Sequence, residues 1–216
     1  MQAPFLHILH HQHLWLTGYR SIFWEEASAL IISDCHFGKT GHFRKAGIAV
    51  PQQIYKEDLQ RLVTVLTHFK PKQLIVVGDL FHSHSNLELE WFKNWRNEMA
   101  GLRIILVKGN HDILKANWYE NAGIELVAER LKLNSFVFSH ENCHVNEDEY
   151  SFCGHVHPGI MLQGTGKQSL RFPCFYFSKQ YCILPAFSKF TGLAIIEPKQ
   201  GEHVYAVVED KVLKIH

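Results

Sequence analysis

The chain has 216 residues, 46% hydrophobic and 20% charged, a balance that supports a buried core without staples and excludes a disordered chain. Its 22 basic and 21 acidic side chains leave a formal net charge of +1. No global field therefore draws it to nucleic acid or membrane, although a local basic patch stays open. No run approaches about 18 apolar residues, and Met1 to Trp15 lacks an apolar stretch of signal-peptide length, so a cytoplasmic protein with no membrane span is expected. The five cysteines, Cys35, Cys143, Cys153, Cys174 and Cys182, form no CxxC. Free thiols in a reducing compartment are expected.

In chain order, the first clear strand is Ala29–Ser33, ending at Asp34. A polar loop through His36, Gly38 and Gly41 leads to Pro51. From Gln52 to Phe69 the apolar positions Ile54, Leu59, Leu62, Val63, Leu66 and Phe69 recur at helical spacing, and Pro71 ends the helix. Gln73–Val77 is a second strand, stopping at Gly78-Asp79. Leu87–Met99 reads as a helix whose Trp91 and Trp95 serve packing. Arg103–Val107 is a third strand, stopping at Lys108-Gly109-Asn110. Strands alternating with helices argue for α/β layering around a largely parallel sheet. Ligands of such sheets sit beyond the carboxyl ends of strands, where Asp34, Asp79 and Asn110 lie.

After Gly123 the pattern changes. Ser135–Ser139 ends at His140, and Ser151–Cys153 leads into Gly154-His155-Val156-His157. Leu170–Leu184, Leu193–Glu197 and His203–Ile215 read as strands of a second sheet. No linker separates the halves, so residues 1–216 are expected to form one domain with two sheets.

Histidine is over-represented, with 16 residues, and it is the commonest metal ligand. His7, His10, His11 and His13 have no neighbouring carboxylate or cysteine in sequence and are expected on a solvated strand edge. Five other segments follow apolar strands and offer oxygen or imidazole donors: Asp34-Cys35-His36, Gly78-Asp79-Leu80-Phe81-His82, Gly109-Asn110-His111-Asp112, Ser139-His140 and Gly154-His155-Val156-His157. In an extended segment, Asp34 and His36 project to one side, as do His155 and His157. Cys35 then points away.

This ordered set, DxH, GDxxH, GNHD, H and GHxH, resembles the calcineurin-like metallophosphoesterase superfamily over roughly Leu30 to Pro158. The resemblance implies a four-layer αββα sandwich of two mixed β-sheets flanked by helices. It implies two divalent cations, Mn²⁺ first, with Fe²⁺/Fe³⁺ and Zn²⁺ as alternatives that suit the same N/O donors. Asp34, His36, Asp79 and His157 match the ligands of one ion. Asp79, Asn110, His140 and His155 match those of the other, with Asp79 bridging. The implied chemistry is in-line attack of a metal-bound hydroxide on phosphorus, with His111 assisting the leaving oxygen and Asp112 orienting its ring. Histidine ligands must be neutral, so activity is expected to fall below about pH 6.

Further segments narrow the resemblance. His36-Phe37-Gly38-Lys39, Phe43-Arg44-Lys45-Ala46-Gly47-Ile48, Val50-Pro51 and Leu184 to Gly192 are similar to the bacterial ligase-associated DNA-damage-response endonuclease (PdeM-type) group. That group implies a DNA phosphodiesterase in a repair setting, associated with a DNA ligase and a helicase. Oligomeric state stays open, a homodimer included. Lys39 and Arg44 are candidates for binding a substrate phosphate. His82 either touches substrate or serves as a hydrogen-bonding loop residue. A phosphomonoesterase or a small-molecule or cyclic-nucleotide phosphodiesterase of the same fold is the alternative, and a non-catalytic scaffold a further one.

Overall fold

A computed structural model describes residues 1–39, 53–82, 87–143, 146, 148–164, 166 and 168–216. Three strands precede the first one expected. β1 (Phe5–Leu9), β2 (Gln12–Thr17) and β3 (Ser21–Trp24) run as an antiparallel meander onto β4 (Ala29–Ile32). Polar and histidine positions dilute their apolar signal, yet Leu14, Leu16, Ile22 and Trp24 are fully buried. From β4 the pairing turns parallel through β5 (Gln73–Val77), β6 (Arg103–Val107) and β7 (Ile124–Val127). The crossovers hold α1 (Gln53–Phe69), α2 (Leu87–Glu98) and α3 (Ala116–Asn121). α3, with six residues, is too short for helical periodicity to reveal.

The second sheet contains β8 (Arg130–Leu133), β9 (Phe136–Ser139), β10 (Tyr150–Cys153), β11 (Pro158–Gln163), β12 (Ser169–Phe177), β13 (Tyr181–Ile183) and β14 (Ala194–Ile195). Its order is β14-β11-β12-β13-β10-β9-β8. β15 (His203–Val208) joins β12, and β16 (Lys211–Lys214) joins β15. Both sheets are mixed, as expected.

Alternation along the strands divides the core in two. Ile31, Ile75, Val77, Ile105 and Val107 meet Phe136, Phe138, Phe152, Phe175 and Phe177 between the sheets. Leu30, Ile32, Leu74, Val76, Ile104 and Leu106 face the helices, through Leu62 and Leu66 of α1, Phe92 and Trp95 of α2 and Tyr119 of α3. Trp91 packs against the same core. All three described helices therefore cover one face of the first sheet. The outer face of the second sheet carries a smaller cluster around Ile160, Cys174 and Tyr176, formed by strand and loop residues.

The free-thiol expectation needs correction at two positions. Cys143 and Cys153 form a disulfide, with Cα atoms 5.6 Å apart. β9 and β10 run parallel with Ser139 opposite Cys153, so the chain leaving β9 passes over the end of β10. Sequence spacing does not reveal that pairing. Cys35, Cys174 and Cys182 are free and buried, and burial raises all three thiols, Cys174 to about 12. Among the described residues, no helix is long and apolar enough to cross a membrane.

Candidate metal centre

The carboxyl ends of the parallel strands continue side by side beyond the sheet. Asp34 N–H donates to Gly78 O at 3.1 Å and His36 N–H to Asp79 O at 2.8 Å. In the second sheet, Gly154 N–H donates to His140 O at 3.1 Å. Both sets of ends open toward the same place, because His155 N–H donates to Asp34 Oδ2 at 3.1 Å.

The backbone there is left-handed. Asp34, His36, Asp79, His155 and His157 have φ of 53°, 48°, 51°, 67° and 53°, which corrects the extended geometry expected for the two D/H-x-H pairs. Such conformations cost on the order of 1–3 kcal/mol each and persist where surrounding contacts hold them. Here those contacts are the backbone bonds just described, plus Ser33 Oγ, which lies 2.7 Å from Val77 O and beside Asp34 Oδ2. Cys35 is buried in the helix-side core, away from the donors, as expected. Glycine precedes three donors, Asp79, Asn110 and His155, for steric reasons, and a Cβ on Gly109 would lie 2.2 Å from Asp79 Oδ1. A Cβ on Gly78 (φ +78°) would lie 2.0 Å from His140 Nδ1, and one on Gly154 would lie 1.9 Å from Ser33 Oγ.

Two donor groups result. Within each, the ligand atoms of Asp34, His36 and His157, or of Asp79, His140 and His155, lie within 4.8 Å of one another. His157 Nε2 is 3.2 Å from Asp34 Oδ1. Asp79 Oδ2 is 3.4 Å from His140 Nε2 and 3.8 Å from His36 Nε2, so one carboxylate oxygen reaches both groups. Asn110 Oδ1 joins the second group, 3.2 Å from His140 Nε2.

The imidazoles are turned for ligation. His140 Nδ1 donates to Val77 O at 3.0 Å, which leaves Nε2 facing Asp79. His36 Nδ1 meets His82 Nδ1 at 3.3 Å, while His36 Nε2 is buried with no hydrogen-bond partner. An orphaned buried nitrogen aimed at a carboxylate is what a cation site requires, so the residues fit divalent metal ions. The electrostatics separate the two rings. Burial lowers the His36 imidazole to about 3, beyond what Asp79 and Asp34 restore. For His140 burial is outweighed by the Asp79 hydrogen bond and the Asp34 and Asp79 charges, which hold it at about 9. Asp79 itself sits at about 2: burial opposes ionisation, and the His140 bond and charge with the His111 N–H overcome it.

Asp112 departs from its expected role. Its oxygens accept Gly109 N–H at 2.9 Å and Phe81 N–H at 3.1 Å, and it makes no hydrogen bond to the His111 ring. It ties the loop bearing Asn110 and His111 to the loop after Asp79, and burial raises its carboxyl to about 7. His111 instead lies beside His82 and His36, with ring centroids 4.3 and 5.3 Å away. Lys39 is half-buried with its ammonium 5.9 Å from the Phe190 ring centre. Burial lowers its pKa, against the raising effect of Asp79 and Asp34. Arg44 lies outside the described residues.

Arg20, Asp58 and Arg61 carry no motif that marks them in the sequence. Arg61 pairs with Asp58 at 2.6 Å, packs over the Phe187 ring and donates to Phe187 O. Arg20 donates to Ala186 O and Ser188 O. The segment so held donates back from Phe187 N to Ser33 O at 2.7 Å and from Ser188 N to Asp34 O at 3.2 Å. This strap accounts for the Leu184–Gly192 motif, its one signal in the sequence.

Residues 27–157 match the family model for calcineurin-like phosphoesterases. No curated protein matches the chain. Among solved structures, the crystal structure of Pseudomonas putida nuclease MPE is similar, with 28% identity and a TM-score of 0.82, covering 97% of this chain and 100% of that chain. Family match, fold and paired donor groups agree: the chain belongs to the calcineurin-like phosphoesterase family and is a metal-dependent phosphoesterase.

Proposed function

We propose that the protein is a two-metal phosphodiesterase that cleaves nucleic acid, with DNA as its substrate. One observation carries this reading: Asp79 Oδ2 lies within 3.4 and 3.8 Å of histidine nitrogens from both donor groups. Asp34, His36 and His157 would hold one cation and Asn110, His140 and His155 the other, with Asp79 shared. Mn²⁺ is the first candidate, and Fe or Zn suit the same donors. When bound, two divalent cations supply Lewis acidity toward the phosphoryl oxygens and lower the pKa of an attacking water.

The chain's own residues do the rest. Val77 O and His82 fix the His140 and His36 rings. His111, on the loop that Asp112 braces, donates a proton to the leaving oxygen. Lys39 offers a cation to a phosphoryl oxygen, and Arg44 is the second candidate. The likeness to a nuclease along 97% of the chain supports both the nucleic-acid substrate and a single domain. A role in DNA repair beside a ligase and a helicase rests on the sequence motifs, and a cytoplasmic setting on the lack of a long apolar run in the sequence.

The test is Mn²⁺-dependent hydrolysis of bis(p-nitrophenyl) phosphate against the monoester, by wild type and His111→Ala. Diester turnover should exceed monoester turnover, and the variant should lose roughly 10²–10⁴-fold in kcat. A preference for the monoester favours the phosphomonoesterase alternative. No turnover of either ester, with metal bound, favours the scaffold.

A further inference from the structure

A cleft of about 480 Å³ opens beside Asn110 and His140, walled by Lys108, Ile113, Ala128 and Arg130. We propose that this cleft receives the nucleoside on one side of the scissile phosphate, and that Lys108 meets the next phosphate along that strand. The proposal rests on the phosphodiesterase reading for the identity of the substrate.

Size and chemistry select the occupant. Asn110 and His140 belong both to the second donor group and to the wall of the cleft, so one arm of a phosphodiester at the centre can enter the cleft directly. Ile113 is half-exposed at its lip and offers apolar contact to a base. Glu129 and Glu141 also line the cleft and balance Lys108 and Arg130. A neutral rim gains little from a run of phosphates, whereas a base and sugar use donors and acceptors together.

Lys108 is the group best placed for a flanking phosphate. Its backbone N–H is fixed to Val127 O at 2.9 Å, and its exposed side chain has no ion pair among the described residues. Arg130 is already engaged, 3.4 Å from Glu149, which also holds Lys132 at 2.7 Å. Among the described residues lining the cleft, Lys108 is therefore the cation left for a flanking phosphate, and a single strand, which has the freedom to turn into the cleft, is the substrate form tested.

The experiment compares wild type, Lys108→Ala and Ala128→Trp. Oligonucleotide affinity is read by fluorescence anisotropy of a labelled single strand across a salt series, and turnover is read on methyl p-nitrophenyl phosphate, whose small arm does not need the cleft. Lys108→Ala should weaken oligonucleotide binding roughly three- to tenfold and reduce the salt slope by about 0.7, the value for one phosphate on a single strand. Ala128→Trp, at an exposed position, should weaken binding by filling the cleft. Both variants should retain methyl ester turnover. Unchanged affinity and salt slope in both variants, with ester turnover intact, overturns the cleft and leaves the phosphodiesterase reading standing. Weakened binding in both, with no ester turnover by the wild type, supports the cleft as a nucleic-acid site and overturns the phosphodiesterase reading instead.

Discussion

The hairpin of β1 and β2 carries His7, His10, His11 and His13, while the strand ends of the two sheets carry His36, His140, His155 and His157. The hairpin scatters its rings. His7 is buried, bonded to Tyr205 Oη at 2.8 Å and packed on Phe177. His10 and His11 form a turn with φ of 48° and 61°. His13 pairs with Glu26 at 2.6 Å, a carboxylate brought by the fold and not by sequence proximity. The strand ends gather theirs around Asp34 and Asp79. Histidine density is therefore a poor signal. What makes donors is a carboxylate fixed at a left-handed strand end, with imidazoles gathered around it, two of which, His36 and His140, have their second nitrogens already committed.

The largest expected effect removes the shared carboxylate. Asp79→Asn should lose bound metal and reduce diester hydrolysis by more than about 100-fold, beyond what loss of a supporting residue costs. His10→Ala/His11→Ala/His13→Ala should leave metal content and turnover unchanged. Parallel losses in both variants would break the comparison. An intermediate effect is expected at His82, which touches no candidate cation but holds the His36 ring. His82→Ala should weaken Mn²⁺ binding roughly 10- to 100-fold, while kcat at saturating Mn²⁺ stays near wild type. A kcat loss that added Mn²⁺ does not repair would make His82 a substrate contact instead.

The smallest effect belongs to the hairpin. Burial, with the His203 and Lys214 charges, lowers His7 to about 4 from 6.5. Above about pH 6.5 the ring is neutral in both folded and unfolded chains, so it adds no pH dependence. As pH falls from 6.5 toward 4, the unfolded chain takes a proton that the folded one resists, and stability declines. His7→Phe should flatten this decline in urea midpoints over that window. An unchanged slope would mean that His7 is protonated without cost in the fold.

Much of the framework was legible. β5, β6 and α1 appear within a residue of where apolar runs and helical spacing put them, because each is a local pattern with a Gly, Pro or Asp at its end. β1 to β3, α3, β7, β8 and β11 were not, being short or diluted by polar residues whose burial depends on neighbours in space. The donor residues were legible as types and positions. Their left-handed backbone was not, since it is held by bonds between loops of different strands. The same holds for Asp112, whose backbone partners come from the loop after Asp79 as well as from its own.

By itself, the sequence determined which donors exist, their order and their place at the ends of apolar strands, since these follow from periodicity and composition. Tertiary structure alone decided which donors meet. The parallel register of β4 with β5 sets Asp34 beside Gly78, that of β9 with β10 sets His140 beside Gly154, and packing of one sheet on the other brings the four ends together. It also joined Cys143 to Cys153 and turned the His36 Nε2 inward without a partner. These contacts link residues far apart in the chain, and no local pattern specifies them: they exist only once both sheets bury their shared apolar face.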